Sequence, residues 1–184
     1  DFENPEVLQP KDFWKKALIV FSQSKPLRSF SEAEREQIRT FAERGGLLFF
    51  DDPLATPQST FFKSVEAELS RIFPGRSLKP ISKDDVLLRT FFLLNEVSGR
   101  RLAEPTLFGI QLDNRWVAVV SSNDLLGAVL RSADGDFVLS VSPYGISQRI
   151  LAERLLLNIF MYAATLDYKD DAIHLPHILK RRVR

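Results

Sequence analysis

Gly45-Gly46-Leu47-Leu48-Phe49-Phe50-Asp51-Asp52 is the stretch from which the fold is read. Four large apolar residues in a row suit a strand buried on both faces, as in a parallel sheet. The two aspartates then stand at the carboxyl end of that strand, where open α/β sheets bind ligands. Upstream, Ser31 and Glu34 have the spacing of a capping box, and helix-forming residues run on to Arg44 with Ile38, Phe41 and Ala42 as the buried stripe. Gly45 ends that helix because it accepts a left-handed backbone at little cost. Earlier still, Ala17-Leu18-Ile19-Val20-Phe21 is another continuous apolar run, closed by Ser22-Gln23-Ser24. Strand, helix and strand in about 35 residues make a βαβ unit, whose crossover is right-handed by rule.

Downstream, Thr56-Pro57 reads as a helix cap followed by proline at the first helical position. Phe61, Phe62, Val65, Leu69, Ile72 and Phe73 recur at helical spacing as far as Pro74-Gly75. Lys83-Asp84-Asp85 is read as the start of a short helix, with Phe91-Phe92-Leu93-Leu94 packed beneath it. Phe108–Leu112 and Arg115–Val120 are predicted strands joined by a tight turn at Asp113-Asn114. Trp116, Ala118 and Val120 alternate with Val117 and Val119, which marks a second central strand. Ser121-Ser122-Asn123-Asp124 closes it. Asp134-Gly135 predicts a turn and Phe137–Val141 a short outer strand. The last major element, Ser147 to Leu166, carries Ile150, Leu151, Leu155, Leu157, Ile159, Met161 and Tyr162. Apolar residues around so much of its circumference predict a well-buried helix.

The 184 residues suit a single domain, 1–184, with an N-terminal arm at 1–16 and a basic C-terminal tail at 167–184. Hydrophobic residues at 45% and charged residues at 27% are ordinary globular values. A formal net charge of +1 supplies no general attraction to nucleic acid, so no nucleic-acid partner is expected. The absence of cysteine removes disulfides, thiolate metal sites and cysteine nucleophiles together. The sequence opens at Asp1, and a signal peptide or membrane anchor ahead of it is an expectation. No run approaches the roughly 18 apolar residues that span a bilayer.

Three polar strand ends are candidates for function. Ser22 and Gln23 follow the first buried strand, Asp51 and Asp52 the second, and Ser122, Asn123 and Asp124 the third. If these strands are parallel neighbours, their ends converge on one rim, and these seven residues form a candidate ligand-binding site. Adjacent strand residues point to opposite faces, so Asp51 and Asp52 do not address one ligand together. Against the binding role stands a plainer one, in which both aspartates serve as turn and cap residues before Pro53. Nothing resembles an EF-hand loop, a Gly-x-Ser-x-Gly elbow, a phosphate-binding loop or a dinucleotide turn, and no cofactor or metal is expected. His174 and His177 are read as surface or docking residues.

Several short motifs together carry a family resemblance. They are Leu-x-Pro-Lys-Asp-Phe at 8–13, Ser-Glu-Ala-Glu at 31–34, Gly-Gly-Leu-Leu-Phe-Phe-Asp-Asp at 45–52 and Arg-Ile-Phe-Pro-Gly at 71–75. Ser122-Asn123-Asp124-Leu125, Asn158-Ile159-Phe160-Met161-Tyr162-Ala163 and Asp167-Tyr168-Lys169-Asp170-Asp171 with His174 agree with them. With these the chain resembles the bacterial domain of unknown function family 4159, over nearly its whole length. The resemblance implies a fold like class I glutamine amidotransferases, an α/β flavodoxin-like three-layer sandwich with a mostly parallel central sheet and an antiparallel hairpin. Enzymes of that superfamily use a cysteine on a strand-to-helix elbow, which this chain lacks, so the activity does not transfer. The resemblance also implies a periplasmic or membrane-associated setting, with a cytoplasmic one as the alternative. Its implied partners are unidentified proteins, among them components of a MoxR-type ATPase and von Willebrand-domain system. The expectation is therefore a non-catalytic domain that binds a partner protein or small ligand at the carboxyl edge of its sheet. The alternative is a hydrolase using aspartate acid/base chemistry, with or without a cation.

Overall fold

The computed structural model describes residues 16–181, with side chains over 16–165. Phe13 and Trp14 of the arm lie outside the described residues, and the side chains of His174, His177 and the basic tail lie outside the described side chains. Strand β2 (Leu47–Asp51) is buried at every position, as its unbroken apolar run requires. It pairs in parallel with β1 (Leu18–Ser22) on one side and with β5 (Arg115–Ser121) on the other. Beyond β5 come β4 (Phe108–Leu112) and the two-residue β3 (Lys79–Pro80), both antiparallel to their neighbours. The order is β1-β2-β5-β4-β3.

The expected sheet was mostly parallel, and the observed one is mixed. Two of its pairings are parallel and two antiparallel. The hairpin causes this: Asp113 and Asn114 both adopt positive φ, at 48° and 63°, which reverses the chain in two residues and lays β4 against β5. The exposed pair Lys79-Pro80 then joins as an edge strand, with no apolar pattern to announce it.

Helices α1 (Glu32–Glu43) and α2 (Thr60–Ile72) cover one face of the sheet. Helix α3 (Leu125–Val129), helix α4 (Gly145–Arg181) and a 3-10 turn at Val86–Arg89 cover the other. The alternation of β2 sorts its side chains accordingly, with Leu48 and Phe50 toward α1 and α2 and Leu47 and Phe49 toward α4. Strand β5 departs from strict alternation. Ile110 pairs with Ala118 but Gln111 with Trp116, so Val117 is one residue in excess, a β-bulge. Val117 and Ala118 therefore both face α1 and α2 while Trp116 turns toward α4, where its backbone N–H donates to the Tyr162 hydroxyl at 3.0 Å.

Helix α1 begins at the expected capping box. Ser31 Oγ accepts from Glu34 N at 3.3 Å and Glu34 Oε2 from Ser31 N at 2.7 Å. Gly45, at φ 108°, carries the chain out of the helix. Helix α2 starts later than Thr56. Ala55 and Gln58 hold positive φ of 47° and 54°, which keeps the chain non-helical until Ser59 caps it by accepting from Phe62 N at 2.9 Å. The segment Phe137–Val141 forms no outer strand, only a single bridge between Phe137 and Arg131. The guanidiniums of Arg131 and Arg149 flank the Phe137 ring at 3.8 and 3.9 Å, tying this turn to α4 instead of to the sheet.

Two expectations of burial are corrected. Leu94 is buried, but Phe91 and Leu93 are exposed. Helix α4 runs on to Arg181, and over its described side chains it buries one side only: Ala152, Leu155, Leu156, Ile159, Tyr162 and Ala163 meet the core, while Ile146, Ile150, Leu157 and Met161 face outward. The sheet lies on one flank of α4, and no described element packs on the other.

Candidate functional site

The three parallel strands end side by side, with Ser22 opposite Asp51 and Asp51 opposite Ser121. Asp52 N extends the ladder by donating to Ser121 O at 2.9 Å. The expected convergence of polar ends therefore exists in space. What those ends do there follows from their parity.

Asp51 lies on the same face as Leu47 and Phe49, toward α3, and is fully buried. Its Oδ1 accepts from Leu125 N at 3.0 Å and its Oδ2 from Leu126 N at 2.8 Å, so it holds the first amides of α3. Asp124 caps the same helix from within the chain, its Oδ1 accepting from Gly127 N at 3.0 Å. This geometry needs the left-handed backbone of Asp124, at φ 53° and ψ 61°, which aspartate tolerates better than most residues. It also needs a glycine at 127, because a Cβ there would lie 2.3 Å from the Asp124 carboxylate. The second carboxylate oxygen of Asp124 accepts from Arg100 Nε in a partly buried ion pair.

Two carboxylates thus share one helix start, and a single guanidinium pairs with one of them, Asp124. Burial pushes the Asp51 carboxyl up from its ordinary 3.8 to about 7; the charge of Asp124 adds to the rise, and the Leu126, Leu125 and Ser121 hydrogen bonds oppose it. Asp52, one residue on, points to the opposite face. Its Oδ1 closes a turn by accepting from Leu54 N at 2.9 Å, while its Oδ2 is buried with no partner.

Asn123 spends its amide on the loop before β4. Its Oδ1 accepts from Ala103 N at 2.9 Å and Glu104 N at 2.8 Å, and its Nδ2 donates to Glu104 O at 2.7 Å. Arg100 N and Arg101 N donate to the carbonyls of Asp124 and Asn123. The approach is so close that a Cβ on Gly99 would lie 2.2 Å from Asn123 O. Gln148 of α4 secures the same loop from below, donating to Gly99 O at 2.8 Å and Ser142 O at 2.9 Å.

Of the seven candidate residues, Asp51, Asp52, Ser122, Asn123 and Asp124 are brought together in the interior. Ser22 and Gln23 are half-buried at the rim, and Gln23 Nε2 folds back onto the carbonyls of Lys25 and Pro26. Among the described residues no three acidic or histidine side chains stand together as ligands for a cation. Sequence reasoning missed Arg100, Gly99, Gly127 and Gln148. Their partners lie far away in the chain or within one turn of a five-residue helix, and no periodicity marks such contacts. The only sequence signal was the isolated glycine ahead of the basic pair Arg100-Arg101.

Fold and site together define an α/β domain with a mixed five-stranded sheet and a buried polar junction at the carboxyl ends of its parallel strands. The chain belongs to the family described as Domain of unknown function (DUF4159), whose family model matches residues 11–164. A search of curated proteins finds no match to the chain.

Proposed function

We propose that this chain is a non-catalytic, amidotransferase-like domain that binds a partner protein or small ligand along the carboxyl edge of its sheet. The observation that carries the reading is the engagement of Asp51, Asn123 and Asp124 with backbone and with Arg100. Acidic groups so engaged are scaffold. Asn123 and Asp124 fix the loop 98–104 and Asp52 the loop 53–58, and these loops with Gln23 make the rim a partner would meet. Leu54 and Arg101 stand exposed on those loops and Gln23 half-exposed beside them, offering apolar, cationic and amide contacts. An envelope-associated assembly, with proteins of the MoxR-ATPase and von Willebrand-domain kind, is the setting proposed for it.

The test is capture of partners from native membranes by the intact chain and by a Leu54→Ser/Arg101→Glu variant. Loss of specific partners from the variant, with its melting temperature unchanged, is the expected outcome. Identical partners for both would remove the rim from consideration.

One observation favours a second reading, hydrolysis by aspartate acid/base chemistry. Asp51, at about 7, lies in the range a general acid or base needs. Both of its oxygens are occupied by backbone amides and it is shut off from solvent, so α3 would have to move before substrate reached it. A screen of generic glycoside, ester and amide substrates, with Asp51→Asn as control, separates the two readings: activity abolished by that change favours the enzyme.

A further inference from the structure

Helix α4 carries two apolar faces, and only one of them meets the sheet. The other holds Ile146, Ile150, Leu157 and Met161, spaced 4, 7 and 4 residues apart, so that they line up along a single flank. Phe160 stands beside them, and Arg149 ties Phe137 to the same flank, its guanidinium 3.9 Å from the ring. These six residues are between 38% and 78% exposed, which leaves roughly 600 Å² of apolar surface in water, the upper end of what a lone domain shows.

We propose that on this flank two copies of the chain pair, α4 against α4 and antiparallel, about a two-fold axis between Glu153 and Arg154. A two-fold interface must match itself. The 4-7-4 spacing does so, because it reads the same from either end. An antiparallel copy therefore sets Ile146 on Met161 and Ile150 on Leu157, each contact being made twice. The extent fits as well: a standard interface buries about 800 Å² per partner, a little over half of it apolar, and the flank supplies that share. Charge does not oppose the pairing. Glu153, in the middle of the row, has Arg131 of its own chain at 3.7 Å. Arg149 donates to the carbonyls of Ala128 and Leu139, and Arg154 lies over the Phe92 ring. With these charges engaged inside the chain, the flank offers little to a charged partner or an anionic lipid surface, whereas a second copy brings an equal apolar row.

Sedimentation velocity of the chain over about 1–100 µM tests the pairing. The expected result is a mass that rises to that of two copies. In Ile150→Glu/Leu157→Glu, where like charges would face one another, the dissociation constant should rise about 100-fold or more, with the melting temperature unchanged because both positions are exposed. The absence of cysteine allows a second reading that nearly preserves the flank and reports its register. Ile150→Cys mixed with Leu157→Cys should form the mixed disulfide faster than either protein cross-links to itself, since only the unlike positions lie opposite one another. A monomer throughout the concentration range overturns the proposal, and so does cross-linking of like with like at an equal or greater rate.

Discussion

A side-chain amide that leaves water must recover its hydrogen bonds inside, and Asn123 recovers three. Replacing it with alanine strands two backbone N–H groups and a carbonyl of the half-buried segment at residues 103 and 104. We expect Asn123→Ala to cost about 2–4 kcal/mol, read from the urea midpoint; a loss under about 0.5 kcal/mol would contradict the assigned bonds. Gly99 makes the same point by size. Alanine is ordinarily the easier residue to order, yet here its Cβ would meet the Asn123 carbonyl at 2.2 Å, an atom of the main chain with nowhere to go. Gly99→Ala should therefore lower stability, by about 1–3 kcal/mol, instead of raising it. The residue types at 51, 52, 123 and 124 were legible as important from their place after apolar runs. Their use was not, because it depends on which distant amides the folded chain brings to them.

Among the elements, those with an apolar period were legible and those held by single polar side chains were not. The runs at 18–21 and 47–50 and the stripe of α1 give the βαβ unit directly. The segment between β3 and β4 has no such period. It is held by buried Asn158, whose Oδ1 accepts from Phe92 N at 2.7 Å, and by Gln148 and Asn123, each a contact across a long stretch of chain. The start of α2 is a sharper case, since Thr56-Pro57 imitates a helix start that the positive φ of Ala55 and Gln58 postpones. Thermal or urea unfolding distinguishes the two caps. Ser59→Ala should cost about 1 kcal/mol and Thr56→Ala less than about 0.5 kcal/mol, and the reverse order would put the helix start at Thr56 after all.

For the whole molecule, charge at the two faces of the sheet sets opposite pH dependences. At the start of α1, the Arg28 hydrogen bond holds Glu34 down to about 2, against some burial and with help from Ser31. Burial works to raise Glu68, but Arg35, Arg71 and the Phe30 amide together bring it below its ordinary value. Stability from these two is present above their unfolded value of 4.5 and is lost as pH falls below it. Asp51 acts the other way. Its bound proton contributes fully below 3.8, and the contribution declines as pH rises until it is gone above about 7. Unfolding free energy should accordingly peak at mildly acidic pH and fall toward neutrality by at most about 1.4 kcal/mol per unit, with Asp51→Asn flattening the neutral side alone. A wild-type curve that rises from pH 5 to 7 would refute the assignment to Asp51. All of this rests on the acidic strand ends being architectural, bound to one another's loops and not waiting in the open for a ligand. A double-mutant cycle between Arg100→Met and Asp124→Asn, followed by urea unfolding, measures that most directly. The account requires a coupling of about 1–3 kcal/mol for a partly buried, charge-assisted pair; additive effects, with no coupling, would show that the two side chains do not hold each other.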